Sequence, residues 1–276
     1  MRFTFLLLLI VFLMLPSLSV LHGQLVTIDY PRPSLEGAAV ATDSLAFFGG
    51  GFKNGGFSIN DVNIYNPATG EWTLTQFSEK RTLPAAATVG GLVFFAGGKE
   101  VFLGKGASKR VDIYNPVTEE WTTDTLSSER GAIMAIGANG KAYFAGGIGG
   151  TNGLLNVTTT KVVDIYHIDT GAWSQDSLSE ARGAGAVVRV DNLLIFAGGL
   201  INDELVSKRV DIYNLNTDAW TIDSLSVARK FLAGVSDGRY AYFAGGSNNI
   251  GRGENFKTVD IYDSQTGNWS IANLSV

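Results

Sequence analysis

The chain has 276 residues, 45% of them hydrophobic and 17% charged, with 34 glycines against 6 prolines, a composition that suits a packed, turn-rich globular protein and excludes disorder. A formal net charge of −5 leaves no basic footprint for nucleic acid. The absence of cysteine excludes disulfides, thiolate chemistry and a cysteine-linked lipid anchor.

Arg2 opens the chain, followed by an apolar stretch over Phe3–Leu15, then Pro16 and the small residues Ser17 and Ser19. That is the order of a secretory signal. The stretch is too short for a bilayer, which needs about 20 apolar residues. Residues 1–23 are read as a signal peptide cleaved after Ser19 or Gly23, and 24–276 as a soluble domain, secreted or periplasmic, with no further membrane span. Without the leader the chain holds 20 Lys and Arg against 26 Asp and Glu, a net of −6. The sequons at Asn156, Asn268 and Asn273 would carry glycans only in a eukaryotic secretory pathway.

From there the chain repeats itself. "FFGGG" at 47–51 is followed by "FFAGG" at 94–98, "YFAGG" at 143–147, "IFAGG" at 195–199 and "YFAGG" at 242–246. Taking the first glycine of each doublet as Gly49, Gly97, Gly146, Gly198 and Gly245, the spacings are 48, 49, 52 and 47. Each doublet precedes "VNIY" or "VDIY", whose tyrosines are Tyr65, Tyr114, Tyr166, Tyr213 and Tyr262. Seven residues after each tyrosine stands a tryptophan: Trp72, Trp121, Trp173, Trp220 and Trp269.

A fixed period of this length means one structural unit per repeat. Within the third unit, residues 132–137, 141–146, 161–166 and 172–176 are rich in β-branched and aromatic types and bounded by turn residues, so they read as strands a to d. Gly97–Gly98, Gly146–Gly147, Gly198–Gly199 and Gly245–Gly246 close the b strands, where a backbone without Cβ can take φ > 0 and let a neighbour approach. In the c strands Val and Ile face one side, Asp and Tyr the other. Both faces therefore ask for cover, as in sheets stacked around an axis.

This pattern resembles the kelch repeat family: a Gly-Gly doublet after an apolar strand, then Tyr, then Trp at a fixed distance. The resemblance covers residues 32–276 and implies an all-β, kelch-type β-propeller with Tyr and Trp packed between blades. Blades are expected over 32–78, 79–127, 128–179, 180–226 and 227–276, five closing on themselves. A six-bladed or incompletely closed propeller, or a ring completed by another copy, is the alternative. "LVTID" at 25–29 resembles the d-strand "WTIDS" at 220–224 and reads as an edge strand or a linker.

Four alternating strands place the b–c and d–a connections on one face. The c–d hairpins are short and uniform, whereas the b–c loops vary in length and content, as a binding face on a repeat scaffold does. A residue present in every blade belongs to the blade. Arg81, Arg130, Arg182 and Arg229, and Asp112, Asp164, Asp211 and Asp260, are accordingly read as pairing between or within blades rather than as a ligand-binding ring. Candidates for binding are the irregular loop residues Phe57, Phe102, Lys105, Asn152, Leu154, Glu204, Arg252, Glu254 and Phe256, with Leu103, Leu155, Asp203 and Ile250 beside them. Apolar and charged side chains mixed in this way suit a protein or glycan partner.

Chemistry finds few residues. His22 lies in the leader, and His167 lies in a c–d turn away from that face, which leaves no cysteine or histidine set for zinc or for an activated nucleophile. The copper-radical oxidases built on kelch propellers need a cysteine this chain lacks. No metal, cofactor or catalytic residue is assigned. The leading expectation is a non-catalytic exported binding module. The alternative is a small-sugar mutarotase or epimerase of the sialic acid mutarotase type, with Glu204 and Arg252 as carboxylate and arginine at the channel mouth.

Overall fold

In the computed structural model the described residues are 30–53, 55–100, 106–150, 157–248 and 254–275. The leader, the "LVTID" segment, Phe102, Leu103, Lys105, Asn152, Leu154, Leu155, Ile250 and Arg252 lie outside them. Ser34–Val276 forms one unit by its internal contacts.

That unit is built on five four-stranded antiparallel sheets, each in the order a-b-c-d, with two two-stranded ribbons in the b–c loops of the second and third. Sheet 1 comprises Ala38–Ala41, Ala46–Gly49, Asp61–Asn66 and Glu71–Gln76. Sheet 2 comprises Ala85–Val89, Leu92–Ala96, Arg110–Asn115 and Glu120–Thr125, and sheet 3 Met134–Ala138, Lys141–Ala145, Val162–His167 and Trp173–Ser177. Sheet 4 comprises Ala186–Val190, Leu193–Leu200, Val206–Asn214 and Ala219–Ser224, and sheet 5 Ala233–Ser236, Tyr240–Ala244, Thr258–Asp263 and Trp269–Asn273. The strand boundaries expected for the third repeat match within two residues. Tyr pairs Trp in every c–d register, as in Tyr114↔Trp121 and Tyr213↔Trp220.

Period-two alternation splits each sheet between two cores. Val111 and Ile113 pack with Phe144 of sheet 3, whereas Tyr114 and Trp121 pack with Phe47, Val62 and Phe77 of sheet 1. The same division joins sheets 3 and 4 through Met134, Leu178, Phe196 and Trp220, and sheets 4 and 5 through Val188, Leu225, Phe243 and Trp269. Sheets covered on both faces in this way are the blades of a β-propeller.

The indoles of sheets 2–5 also reach back one blade. Trp173, Trp220 and Trp269 donate Nε1–H to Asp124, Asp176 and Asp223 of the preceding d strand, all at 2.8 Å, and Trp121 donates to Thr75 at 2.9 Å. The ring supplies buried area while the N–H orients the neighbour, so one side chain does both.

The glycine doublets work across the same seams. Gly97 has φ 62°, and a Cβ there would stand 2.2 Å from the carbonyl oxygen of Arg130 in the next sheet. Gly98 N–H donates to that carbonyl at 2.9 Å. In sheet 1 the equivalent bonds are made by Gly50 and Gly51, so the structural doublet lies one residue after the Gly49 of the sequence reading.

A feature the sequence did not suggest surrounds the axis. Glu36, Leu83, Ala132, Ala184 and Phe231 all have φ of 50–56°, in the left-handed region that L residues seldom take. The last four link to the preceding blade: Leu83 N–H donates to Glu36 O, Ala132 to Leu83 O, Ala184 to Ala132 O and Phe231 to Ala184 O, at 2.7–3.0 Å. Four hydrogen bonds thus chain five blades at the mouth of the axis, and they offset roughly 1–2 kcal/mol of strain per residue.

The chain of bonds has two ends. Among the described residues no buried cluster and no such bond joins sheet 5 to sheet 1. Phe77, Leu126, Leu178 and Leu225 are at most 3% exposed, whereas their equivalent Leu274 is 43% exposed. Val188 is 4% exposed and its sheet-5 equivalent Val235 is 64% exposed. The face that sheets 1–4 bury against a successor is open in sheet 5. Among the described residues the five sheets are thus incompletely closed, the alternative to closure on themselves, because sheet 5 receives there none of the covering Phe, Tyr and Trp that each other sheet receives from its neighbour.

Candidate functional site

The recurring charges lie inside the sheets. Arg81, Arg130, Arg182 and Arg229 are fully buried and pair with Asp112, Asp164, Asp211 and Asp260 of the same blade, the last three pairs at 2.6–2.7 Å. Each guanidinium also donates to a b-strand carbonyl, those of Phe95, Phe144, Phe196 and Phe243. The aspartates accept in turn from the backbone of Ser78, Ser127, Ser179 and Ser226, which end the preceding blade. Blade and blade are thereby joined through one carboxylate. Desolvation lowers the pKa of Arg81 and Arg182 while their aspartates oppose the shift. Burial would raise the Asp164 carboxyl, but Arg130, Gln175 and Ser127 hold it below its usual value.

Sheet 1 departs from this rule at both partners at once. Ser34, two residues before the left-handed Glu36, stands where the arginines stand, and Asn63 stands where the aspartates do. Ser34 Oγ donates to Gly50 O at 2.8 Å. A blade can thus hold this position with both charges or with neither, consistent with the cost of burying a lone charge.

With these residues committed to the scaffold, the loop face carries what is irregular. Phe57 is 53% exposed in the first b–c loop, the aromatic expected at a loop tip. Glu204 is exposed in the turn after the sheet-4 b strand, its N–H donating to Asn202 Oδ1 at 3.0 Å, and the neighbouring Asp203 accepts from Val157 N–H of the sheet-3 loop at 3.1 Å. Glu254 is exposed, with its N–H on Asn248 Oδ1 at 3.2 Å. Phe256 is half-buried, and its N–H donates to Gly246 O at 2.9 Å. The described candidates thus stand on three different b–c loops, Phe57 on the first, Glu204 on the fourth and Glu254 and Phe256 on the fifth, while Phe102, Lys105, Asn152, Leu154 and Arg252 lie outside the described residues.

Around the axis the same face has an apolar floor of Ile148, Ala184 and Leu200, with Ala132, Val157 and Val206 against it. Lys99 follows the glycine doublet of sheet 2, Lys230 follows Arg229 of sheet 5, and Glu36 holds in sheet 1 the place that Phe231 holds in sheet 5. Burial lowers the Lys99 ammonium pKa, opposed by Asp203, and burial raises the Glu36 carboxyl. An open cleft of about 580 Å³ lies outward between sheets 2 and 3, lined by Glu79, Glu100, Ser108, Lys109, Arg110 and Glu129. Its Glu79 is held by Ser108, as Glu180 is held by Ser207 two blades on, so part of that lining is scaffold.

On the opposite face His167 Nε2 and Ser174 Oγ lie 2.7 Å apart in an exposed hairpin. Among the described residues no three His, Asp or Glu side chains gather as a metal-binding group, and no helix is long and apolar enough to cross a membrane. Sequence reasoning missed Lys230 and Phe231, the rim residues that depart most from their repeat equivalents. Aligning the two positions after each recurring arginine would have exposed them.

No protein-family model matches the chain, and no curated protein matches it by sequence. Among solved structures, that of YjhT superposes with a TM-score of 0.73, covering 89% of this chain and 85% of that one at 16% identity. This is a likeness of fold, a β-propeller.

Proposed function

We propose that the chain is an exported kelch-type propeller that binds a protein or glycan partner through its b–c and d–a loop face without catalysis. The observation that carries this reading is the confinement of every recurring Arg–Asp pair to the blade interior, which leaves the irregular loop residues as the variable chemistry of the molecule. Exposed Phe57 with the exposed carboxylates Glu204 and Glu254 suits an amphipathic partner surface. The test is capture from the native extracellular fraction, comparing the wild-type protein with Phe57→Ser and Glu204→Ala. Retained folding with lost capture supports the reading; undiminished capture by both variants removes these residues from the interface.

A second reading takes the propeller as the scaffold of a small-sugar mutarotase, since kelch-like sialic acid mutarotases are built on such propellers. The fold shared with YjhT supports it. Glu204 is exposed at the loop face, in position to exchange protons with a bound sugar, and Arg252 is its proposed partner from the sheet-5 loop. Anomer exchange followed by NMR across a panel of reducing sugars decides it: no acceleration ends this reading, and acceleration lost in Glu204→Gln establishes it.

A further inference from the structure

We propose that Lys230, with the Phe231 ring beside it, forms a binding site for the carboxylate or phosphate group of a small ligand at the axial mouth of the loop face. The proposal rests on the reading of that face as the binding face and specifies the ligand chemistry.

The first argument is position. Leu35, Thr82, Gly131 and Gly183 occupy the equivalent place in sheets 1–4, directly after the arginine or its Ser34 substitute, so no demand of the repeat calls for a cation there. At Gly131 and Gly183 a Cβ would point at Lys99 and at Ile148 of the preceding sheet. Phe231 likewise replaces Glu36, Leu83, Ala132 and Ala184, and its ring is 57% exposed. Two consecutive departures from a five-fold repeat thus fall together at the mouth.

The second argument is charge. Lys230 is only 5% exposed. Other lysines on this face have counter-charges: Lys53 pairs with Asp61 at 2.8 Å, and Asp203 acts on Lys99. Lys230 has no carboxylate or side-chain acceptor among the described residues; its contact is with Phe231, whose ring centroid lies 5.4 Å from Nζ. Burial alone shifts its ammonium, downward from the usual lysine value.

A desolvated ammonium without a counter-ion binds an anionic oxygen more strongly than one already paired, since the cost of removing it from water has been met in folding. The adjacent exposed ring offers an apolar face to the carbon skeleton of the same ligand. The recognised feature is the anionic oxygen group.

The test is an NMR titration of the lysine Nζ signals at constant ionic strength with acetate, glucuronate, inorganic phosphate and, as the neutral control, glucose. The expected result is a saturable shift of the Lys230 signal with at least one anion and none with glucose. Lys230→Met should weaken that binding at least tenfold, Lys230→Arg should keep it within about threefold, and Lys161→Met, at an exposed lysine, should leave it unchanged. No saturable shift with any anion overturns the proposal, as does equal shifting of Lys161 or binding that survives in Lys230→Met. Should that variant fail to fold, the wild-type titration decides alone. Failure here leaves partner capture through Phe57 standing, so the two readings fall separately.

Discussion

Asp164 accepts from Arg130 of its own blade at 2.6 Å and from the backbone of Ser127, the last turn of the blade before, at 3.0 Å. One carboxylate therefore neutralises a buried cation and fixes a seam. Removing only the cation leaves a buried, uncompensated charge: Arg130→Met is expected to cost about 3–5 kcal/mol in urea unfolding. The double variant Arg130→Ser with Asp164→Asn copies the neutral arrangement at Ser34 and Asn63, and should recover a measurable part of that loss. A double variant worse than the single one would show that the pair is not the unit.

The indole bonds give a second measurement. Trp173→Phe keeps most of the ring but loses the N–H to Asp124, and should cost about 1–3 kcal/mol; Trp173→Ala should cost about 3–5 kcal/mol. Asp124→Ala should add little to Trp173→Phe, because both remove one bond. Additive effects would place the stabilisation elsewhere.

Acid and alkali should act on different parts of the blades. Asp164 has its folded pKa lowered, so its contribution is present above the ordinary carboxylate value and is lost as pH falls below it. Tyr143 is pushed up to about 12 by burial and the nearby Asp218. Above pH 10 the unfolded chain releases that proton while the folded chain retains it until about 12, so stability falls across that window. Denaturation midpoints at rising pH should show a shallower alkaline decline for Tyr143→Phe. The decline should not vanish, since burial raises Tyr114 and Tyr262 as well.

Equivalent leucines should differ by blade. Leu225→Ala empties a site that is 1% exposed and should cost about 2–5 kcal/mol, whereas Leu274→Ala, at 43% exposure, should cost less than half as much. Thermal unfolding of the two variants side by side tests the open seam directly. Equal losses would mean that sheet 5 is covered after all.

Much of this architecture was readable from the repeat itself. Val111 and Asp112 have opposite sides in a strand, so a unit that conserves both across four copies needs neighbours on both faces. The arginines were legible as scaffold because they recur blade after blade, and the interblade place of Trp121 followed from the resemblance to the kelch repeat. Closure was not legible, because the residues that would cover sheet 5 have no period of their own. Nor was the left-handed row from Glu36 to Phe231: five different side chains occupy it, and their shared property is a backbone angle set by bonds between blades. The loop residues were identified by irregularity alone, a criterion that cannot separate exposed Phe57 from half-buried Phe256.

The open seam gives this fold a beginning and an end, as a row of repeats has and a ring does not. Cooperativity then has a direction: hydrogen exchange should be fastest in sheet 5, which has one neighbour, and slowest in sheets 2 to 4, each clamped between two. An assembly of that kind tolerates gain or loss of a whole unit at its terminus, where a closed wheel would have to reset every angle between its spokes.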